Sequence, residues 1–408
     1  MGKTSIFDRK NGANLRFYLL STLLLSPAFR VLLASVLKPL DDTRMYGKLG
    51  RTLAERADWQ IHVAGRLAPT PANGPTNLHT HTLLAGSRLS FARLRAQWVY
   101  WRLLSRLQPD LVVVHAPELL PLTLLWQRLG QGRRFLYDVR ENYALNVTTQ
   151  HVYSGLTRRG LAAGLRWVER LAARNAAAII LAERSYAAEL PFLPVLPADR
   201  VVVLENKYQP APDELQPVRN QPLLKPGEPL RLLYSGTISH LNGVFAAIDF
   251  TQRLRQHWPQ AHLTIIGFCQ RPDQLRQLQQ AVTAAKGAVT LIGGAALIPH
   301  SRIVAEIQRS HLGLLPYQKH DSTWRCMPTK LYEYMAQGLP ALIPPNALWQ
   351  QLVEQHGAGM VVGFEPTADL ADFSRQLPTT SFYPNGIPAE ALWQSEALKL
   401  WSLLDAIR

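Results

Sequence analysis

Cysteine is almost missing from this sequence: 408 residues hold two, Cys269 and Cys326. They stand far apart with no C-x-x-C spacing, which excludes a disulfide framework and a thiolate zinc site and fits a reducing compartment. Long apolar runs are missing too. The nearest approach to the ~20 residues that span a bilayer is Phe17 to Leu37, and Pro27 and Arg30 interrupt it. Its basic flank and Phe17 to Leu25 resemble a signal peptide, but Ser26, Pro27, Ala28 and Phe29 make a poor cleavage site. What remains for Leu15 to Leu25 is a short helix packed on the protein or lying on a membrane surface. Neither a low-complexity run nor a repeat is present, so disordered and solenoid chains are excluded.

Acidic residues are scarce as well, 29 Asp and Glu against 44 Lys and Arg, for a net charge of +15. Up to Glu205 about 27 basic residues face about 14 acidic ones, so the excess belongs to the first half. Basic surface attracts nucleic acid, anionic lipid headgroups and phosphorylated substrates alike. Without a recognition helix, an RRM or a zinc-finger pattern, nucleic acid is not the expected partner.

The length suits two domains. Phe29 to Leu37 reads as a buried strand, Met45 to Arg56 as a helix, Gln60 to Ala64 as a strand, Phe91 to Leu107 as an amphipathic helix, and Leu111 to His115 and Phe135 to Val139 as strands. A helix from Leu161 to Asn175 and strands Ala178 to Leu181 and Val201 to Leu204 complete this first lobe, residues 1–207. Lys207 to Pro229, with six prolines, is a linker. The second lobe, 230–408, resumes the alternation from Leu230 to Tyr234, and its last helix can return to the first. Such alternation means two α/β, Rossmann-like parallel sheets with a ligand cleft between the lobes.

The segment Met327-Pro328-Thr329-Lys330-Leu331-Tyr332-Glu333-Tyr334-Met335-Ala336-Gln337-Gly338 reads as a short helix with proline at its start and glycine just past its end. Free N–H groups near Thr329 and Lys330, the helix dipole and the Lys330 ammonium make a place for a diphosphate. Glu333, one turn further, can accept from two ribose hydroxyls. An ordinary capped helix with Glu333 solvated accounts for the same residues, and both readings stand at this level. Asp138, Glu141 and Glu118 fall at strand ends, where they can bind sugar hydroxyls or cap loops. His79-x-His81 places two imidazoles on one strand face, but no third ligand is near and a structural role is preferred. The Asn146-Val147-Thr148 sequon means nothing in a cytoplasmic protein. Trp98, Trp101 and Trp167 are read as helix-packing residues.

The helix segment, continued to Pro340, resembles the donor-binding segment of family 4 glycosyltransferases of the GT-B fold. Further landmarks agree in order: Asp41-Asp42-Thr43-Arg44, Pro109-Asp110 through His115 to Glu118, Tyr137-Asp138-Val139-Arg140-Glu141, Glu205-Asn206 and Tyr234-Ser235-Gly236-Thr237. The likeness runs from about Phe29 onward. It implies a nucleotide-sugar-dependent transferase, retaining, with neither metal nor cofactor, whose donor is a substrate. It implies donor contacts from Ser235, Gly236, Thr237, Arg325, Thr329, Lys330, Leu331 and Glu333, and a catalytic region at Arg140, Asp138 and Glu141, with Glu118 toward an acceptor sugar. The acceptor is a sugar, a polysaccharide or a lipid-linked molecule. Localisation is expected in the cytoplasm, peripheral on an anionic inner membrane face.

Three positions depart from the family. Arg140 stands where a histidine is usual and cannot exchange protons at neutral pH. Arg325 takes the place of the first acid of a pair ending at Glu333. His240, Leu241 and Asn242 occupy the turn where a basic residue is common. These losses leave two rivals, a binding or scaffold protein without turnover and a sugar-nucleotide epimerase.

Overall fold

The computed structural model describes residues 28–407 except 72, 87–91, 150–154, 212–213, 215–224, 226 and 321–322. The segment Phe17 to Leu25 and much of the proline-rich stretch therefore lie outside the described residues. The first sheet holds β1 (Phe29–Pro39), β2 (Trp59–Arg66), β3 (Leu78–Leu84), β4 (Leu111–Val114), β5 (Arg134–Val139), β6 (Ala178–Leu181) and β7 (Val201–Val203) in the order β3-β2-β1-β4-β5-β6-β7. β1 pairs in parallel with β2 and β4, β2 with β3, and β4 with β5. Val31 to Val36 and Leu111 to Val114 are buried without interruption. Near-continuous apolar strands of this kind are what a sheet covered on both faces requires.

The second sheet runs β10-β9-β8-β11-β12-β13, with β8 (Leu230–Thr237), β9 (Ala261–Phe268), β10 (Val289–Gly294), β11 (Leu312–Leu314), β12 (Ala341–Ile343) and β13 (Gly359–Val361), all paired in parallel. In both sheets the order reverses beside the first strand, which places ligand-binding turns at the carboxyl ends of the strands.

The helices of the first sheet are α1 (Thr43–Gly50), α2 (Ala92–Leu107), α3 (Leu120–Arg128), α4 (Tyr143–Thr149) and α5 (Gly155–Asn175). Those of the second are α6 (Val244–Leu254), α7 (Pro272–Ala284), α8 (His300–Arg309), α9 (Thr329–Ala336), α10 (Ala347–His356), α11 (Ala371–Gln376) and α12 (Gln394–Ile407). α1 is wound as a π-helix, with Tyr46 and Gly47 both donating to the Asp42 carbonyl at 2.9 and 3.2 Å. The even spacing from Met45 to Arg56 concealed this: Asp42 caps the segment early, and α-helical turns cover only Arg51 to Leu53.

The chain divides into two compact units. The first takes the described residues up to Ile180 and Phe192–Val201, the second Leu181–Pro191 and Val202–Arg408. The division differs from the expected boundary after residue 207 for an identifiable reason. Leu204 donates to Leu181 O at 3.0 Å, Glu205 N to Glu396 at 3.0 Å, Lys207 pairs with Glu396 at 2.7 Å, and Tyr208 N bonds Ala391 O at 2.9 Å. Glu396 lies on α12 and is fully buried, so that helix is tied to residues of the second unit.

Trp98 and Trp167 correct the expectation that they pack helices together. They are 55% and 64% exposed, because each stands on the side of its helix turned from the sheet. Cys269 and Cys326 are free thiols.

Candidate functional site

In the second unit the turn after β8 and the start of α9 are built around one another. Gly236 has φ +109°, a region open to glycine, and a Cβ there would stand 2.9 Å from Lys330 Cε. Gly243 opens α6 at φ +78°, with Pro316 O 1.8 Å from where its Cβ would lie. Ser235 Oγ meets the Tyr334 hydroxyl at 3.0 Å, and Thr237 O accepts from Tyr234 and Asn242, each at 2.9 Å. The backbone of Ser235, Gly236 and Thr237 is thus fixed beside the Lys330 stem.

α9 begins at Thr329 after Pro328, which offers no side-chain cap. Leu331 N bonds Pro328 O at 2.9 Å, while Thr329 and Lys330 lead the helix with their N–H groups forward. Leu331 to Ala336 are all buried, each large apolar side chain contributing about 1.5–3 kcal/mol, and this anchors the helix. Gly338 ends it at φ +66°, as its place in the sequence predicts. Glu333 is buried and held twice: His300 Nε2 donates to Oε1 at 2.7 Å and Lys330 Nζ to Oε2. Burial pushes its carboxyl up, but the bonds from His300 and Lys330 outweigh that and leave it below the usual carboxylate range. Ser235, Gly236, Lys330 and Glu333 are thereby brought together. His300, at the start of α8, was missed by sequence reasoning; a histidine after Pro299 at a helix start was the only signal.

Leu331 packs inward. Its side chain is fully buried and its N–H donates to Pro328 O. Arg325 lines a different place. It is exposed and lines an open pocket of about 610 Å³ with Glu183, Glu205, Tyr332 and Glu390, none of which belongs to the Gly236 and Glu333 cluster. Tyr332 and Glu333, adjacent on α9, leave the helix in different directions, which separates the two places.

In the first unit the carboxyl ends of β1, β4 and β5 carry a buried network of alternating charge. Asp42 accepts from Arg44 N at 3.1 Å and Met45 N at 2.7 Å, and takes Arg140 bidentately at 2.8 and 3.0 Å. Arg44, 1% exposed, grips Asp138 with Nη2 at 2.6 Å and Nε at 2.9 Å. Asp138 also receives His115 Nδ1 at 2.7 Å. Burial raises the Asp138 carboxyl, yet Arg44 and His115 hold it far below the usual range, and desolvation lowers His115 so that its imidazole is neutral. With Nδ1–H donated to Asp138, His115 Nε2 is a buried acceptor without a hydrogen-bond partner. Glu141 pairs with Lys38 at 2.8 Å and Glu118 with Arg93 at 3.2 Å.

The structure therefore changes what two expected catalytic residues can offer. Asp138 is enclosed, and it acts on anything outside through Arg44 and His115. Arg140 is 10% exposed at its side chain and its charge is matched by Asp42. The pairings with Asp42 and Arg44 join residues nearly a hundred positions apart, and no spacing in the sequence announces them.

His79 bonds Gln60 at 2.8 Å and His81 bonds His62 at 3.0 Å, so both imidazoles are structural partners. Among the described residues no group of three or more His, Cys, Asp or Glu is arranged to hold a metal ion. No described helix is long and apolar enough to cross a membrane.

Two family profiles match the chain, the Glycosyl transferase 4-like domain over residues 42–207 and the Glycosyl transferases group 1 domain over residues 229–378. The chain belongs to the glycosyltransferases of the GT-B fold, related to family 4 and group 1 members that act on nucleotide-sugar donors. No curated protein matches it in sequence. Among solved structures it is similar to sucrose-phosphate synthase from Thermosynechococcus elongatus, with 18% identity, a TM-score of 0.67 and coverage of 93% of this chain and 99% of that one. It is similar to HepE from Anabaena in complex with UDP, with 15% identity, a TM-score of 0.61 and coverage of 93% and 100%. WaaG, a glycosyltransferase involved in lipopolysaccharide biosynthesis, shares 14% identity at a TM-score of 0.56 over 92% of this chain and 93% of its own. At these identities the likenesses establish the fold.

Proposed function

We propose that this protein transfers a glycosyl group from a nucleoside diphosphate sugar held by its second unit to a sugar, polysaccharide or lipid-linked acceptor received by its first. The observation that carries the reading is the placement of Lys330 and Glu333 over the Gly236 turn, at the head of α9. Lys330 has three donor hydrogens and gives one to Glu333, which leaves two for phosphate oxygens. The leading N–H groups of α9 and the fixed turn at Ser235 to Thr237 supply uncharged donors to the same anion. Each Glu333 oxygen has a further lone pair for a ribose hydroxyl.

In the transfer, the bond from the anomeric carbon to the diphosphate oxygen breaks and the acceptor oxygen bonds to that carbon. The acceptor proton passes to the departing diphosphate, whose developing charge Lys330 and the helix N–H groups stabilise. Leaving and entering oxygens on one face give retention, and no side-chain base is required, which accommodates Arg140. In this scheme Arg140 and Glu141 are the first unit's catalytic residues, Asp138 positions Arg44 and His115, and Glu118 takes an acceptor hydroxyl. Charge neutralisation by these side chains makes the reaction independent of metal. The work is placed in the cytoplasm, at the inner face of an anionic membrane.

HepE has been solved with UDP and with UDP-glucose, so UDP is the first nucleotide to titrate. Calorimetry over a panel of nucleoside diphosphates, followed by assay of nucleotide release from the sugar form of the best binder, tests the reading. Binding with slow release of free nucleotide supports it, and absence of binding to every diphosphate overturns it. The compensated charge of Arg140 favours a second reading, a nucleotide-sugar binder without turnover, and binding with no release under any acceptor would select it.

A further inference from the structure

Three helices of the first unit present an outer face that the residues described above do not use. α2, α3 and α5 join β3 to β4, β4 to β5 and β5 to β6, and each connection moves the same way across the sheet. Right-handed crossovers then put all three helices on one side. The Tyr100 hydroxyl meets Thr123 Oγ1 at 2.8 Å between α2 and α3, and Gln127 Nε2 donates to Asn175 O at 3.1 Å between α3 and α5. The layer is continuous.

Its outward positions combine large apolar side chains with arginine. Leu94, Trp98 and Arg102 stand at successive turns of α2, and the Arg102 guanidinium lies 4.6 Å over the Trp98 ring. Leu94 is 70% exposed, Leu129 just past α3 is 63% exposed, and Trp167 on α5, followed by exposed Arg170 and Arg174, is 64% exposed. Exposed apolar residues standing singly are ordinary, and what distinguishes this face is their setting among arginines on three packed helices.

The charge of the same helices is one-sided. They contain ten arginines and one acidic residue, Glu169, which is buried under Tyr137 and Arg166. A protein partner would have to supply both a matching apolar face and an excess of acid. An anionic bilayer supplies both at once, with tryptophan at the headgroup level, leucine below it and arginine on the phosphates.

We propose that the outer face of α2, α3 and α5 docks the first unit on an anionic lipid bilayer. Arg93, at the head of α2, pairs with Glu118 just before α3, so the docked face ends beside the residue assigned to the acceptor. An acceptor whose lipid tail stays in the bilayer would present its sugar there, and in this respect the inference rests on the reading of a lipid-linked acceptor.

The test uses the full chain and vesicles of phosphatidylcholine with or without an equal part of phosphatidylglycerol, at low and high salt. Wild type is expected to sediment with the anionic vesicles at low salt, with tryptophan fluorescence shifted to the blue. Trp98→Ser with Trp167→Ser should lower the partition coefficient about tenfold or more. Arg102→Gln with Arg170→Gln and Arg174→Gln should lower it about fivefold per arginine and flatten the salt dependence. All five side chains are exposed or half-exposed, so the variants should melt as wild type does. Wild-type protein left in the supernatant, or variants that bind as wild type does, would overturn the proposal. So would wild-type self-association without lipid that the tryptophan variants lose, which would make the face a contact between protein chains. UDP binding in the same preparations separates the two readings. Vesicle binding without UDP affinity sinks the donor assignment and keeps the docking face, and the reverse result does the opposite.

Discussion

Lys330 lies across Gly236 so closely that a single added methyl group on the glycine would meet its Cε at 2.9 Å. The contact ties the turn after β8 to the first turn of α9 and fixes where the ammonium can reach. Gly236→Ala would displace Lys330 and force alanine to φ +109°, a cost of about 1–3 kcal/mol. We expect nucleoside diphosphate affinity to fall about tenfold in calorimetry while far-ultraviolet circular dichroism stays unchanged. Unaltered affinity would mean that neither group touches the donor.

Lys330→Ala removes a charge-assisted bond to the diphosphate and should weaken binding by about 1.5–3 kcal/mol, or roughly tenfold to a hundredfold. Glu333→Gln should weaken nucleoside diphosphate binding and leave inorganic pyrophosphate binding as it was, because only the former carries a ribose. Equal losses for both ligands in Glu333→Gln would place the carboxylate on the phosphates through Lys330.

Arg140 and Asp42 form a pair whose separation by mutation is informative. Arg140→Ala leaves a buried carboxylate with only its two backbone donors, and should destabilise the first unit by about 3 kcal/mol. Adding Asp42→Asn should recover much of that loss, and a double-mutant cycle measures the coupling. If Arg140 also serves the transfer itself, Arg140→Ala lowers turnover more than donor affinity, and Arg140→His restores part of it. Unchanged turnover would restrict Arg140 to its structural pairing.

His62 and His81 share a hydrogen bond, and burial with neighbouring positive charge lowers both to about 4. The fold thus prefers their neutral forms, whereas in the unfolded chain each titrates near 6.5. The resulting stabilisation is complete above pH 6.5 and is lost as pH falls toward 4. His81 is only half-buried, so screening reduces the effect to about 1–2 kcal/mol, or a few degrees in melting temperature. His62→Gln should flatten the melting curve against pH across that window. A slope identical to wild type would show that other groups set it.

Much of the fold was legible in the sequence because buried parallel strands are written as unbroken apolar runs. Leu111 to Val114 and Phe135 to Val139 are examples, and the helix at Thr329 declares itself by proline before it and glycine after it. α1 was only half legible. Its apolar spacing suits an α-helix, and the π-winding depends on Asp42 holding two N–H groups and on the packing of Met45 and Tyr46. The short strand β13 and helix α11 carry too few residues for a period to show.

The sequence alone determined the alternation of strands and helices, the excess of positive charge in the first half and the meeting of Lys330 with Glu333, since residues three apart on one helix must share a face. Tertiary structure alone decided which charges are free. Asp42 with Arg140, Arg44 with Asp138 and His300 with Glu333 join residues from separate elements, and such pairing follows from how strand ends are brought side by side. It also decided that Trp98 and Trp167 face outward. An amphipathic period fixes which residues share a side of a helix, but only the sheet beneath determines which side is buried.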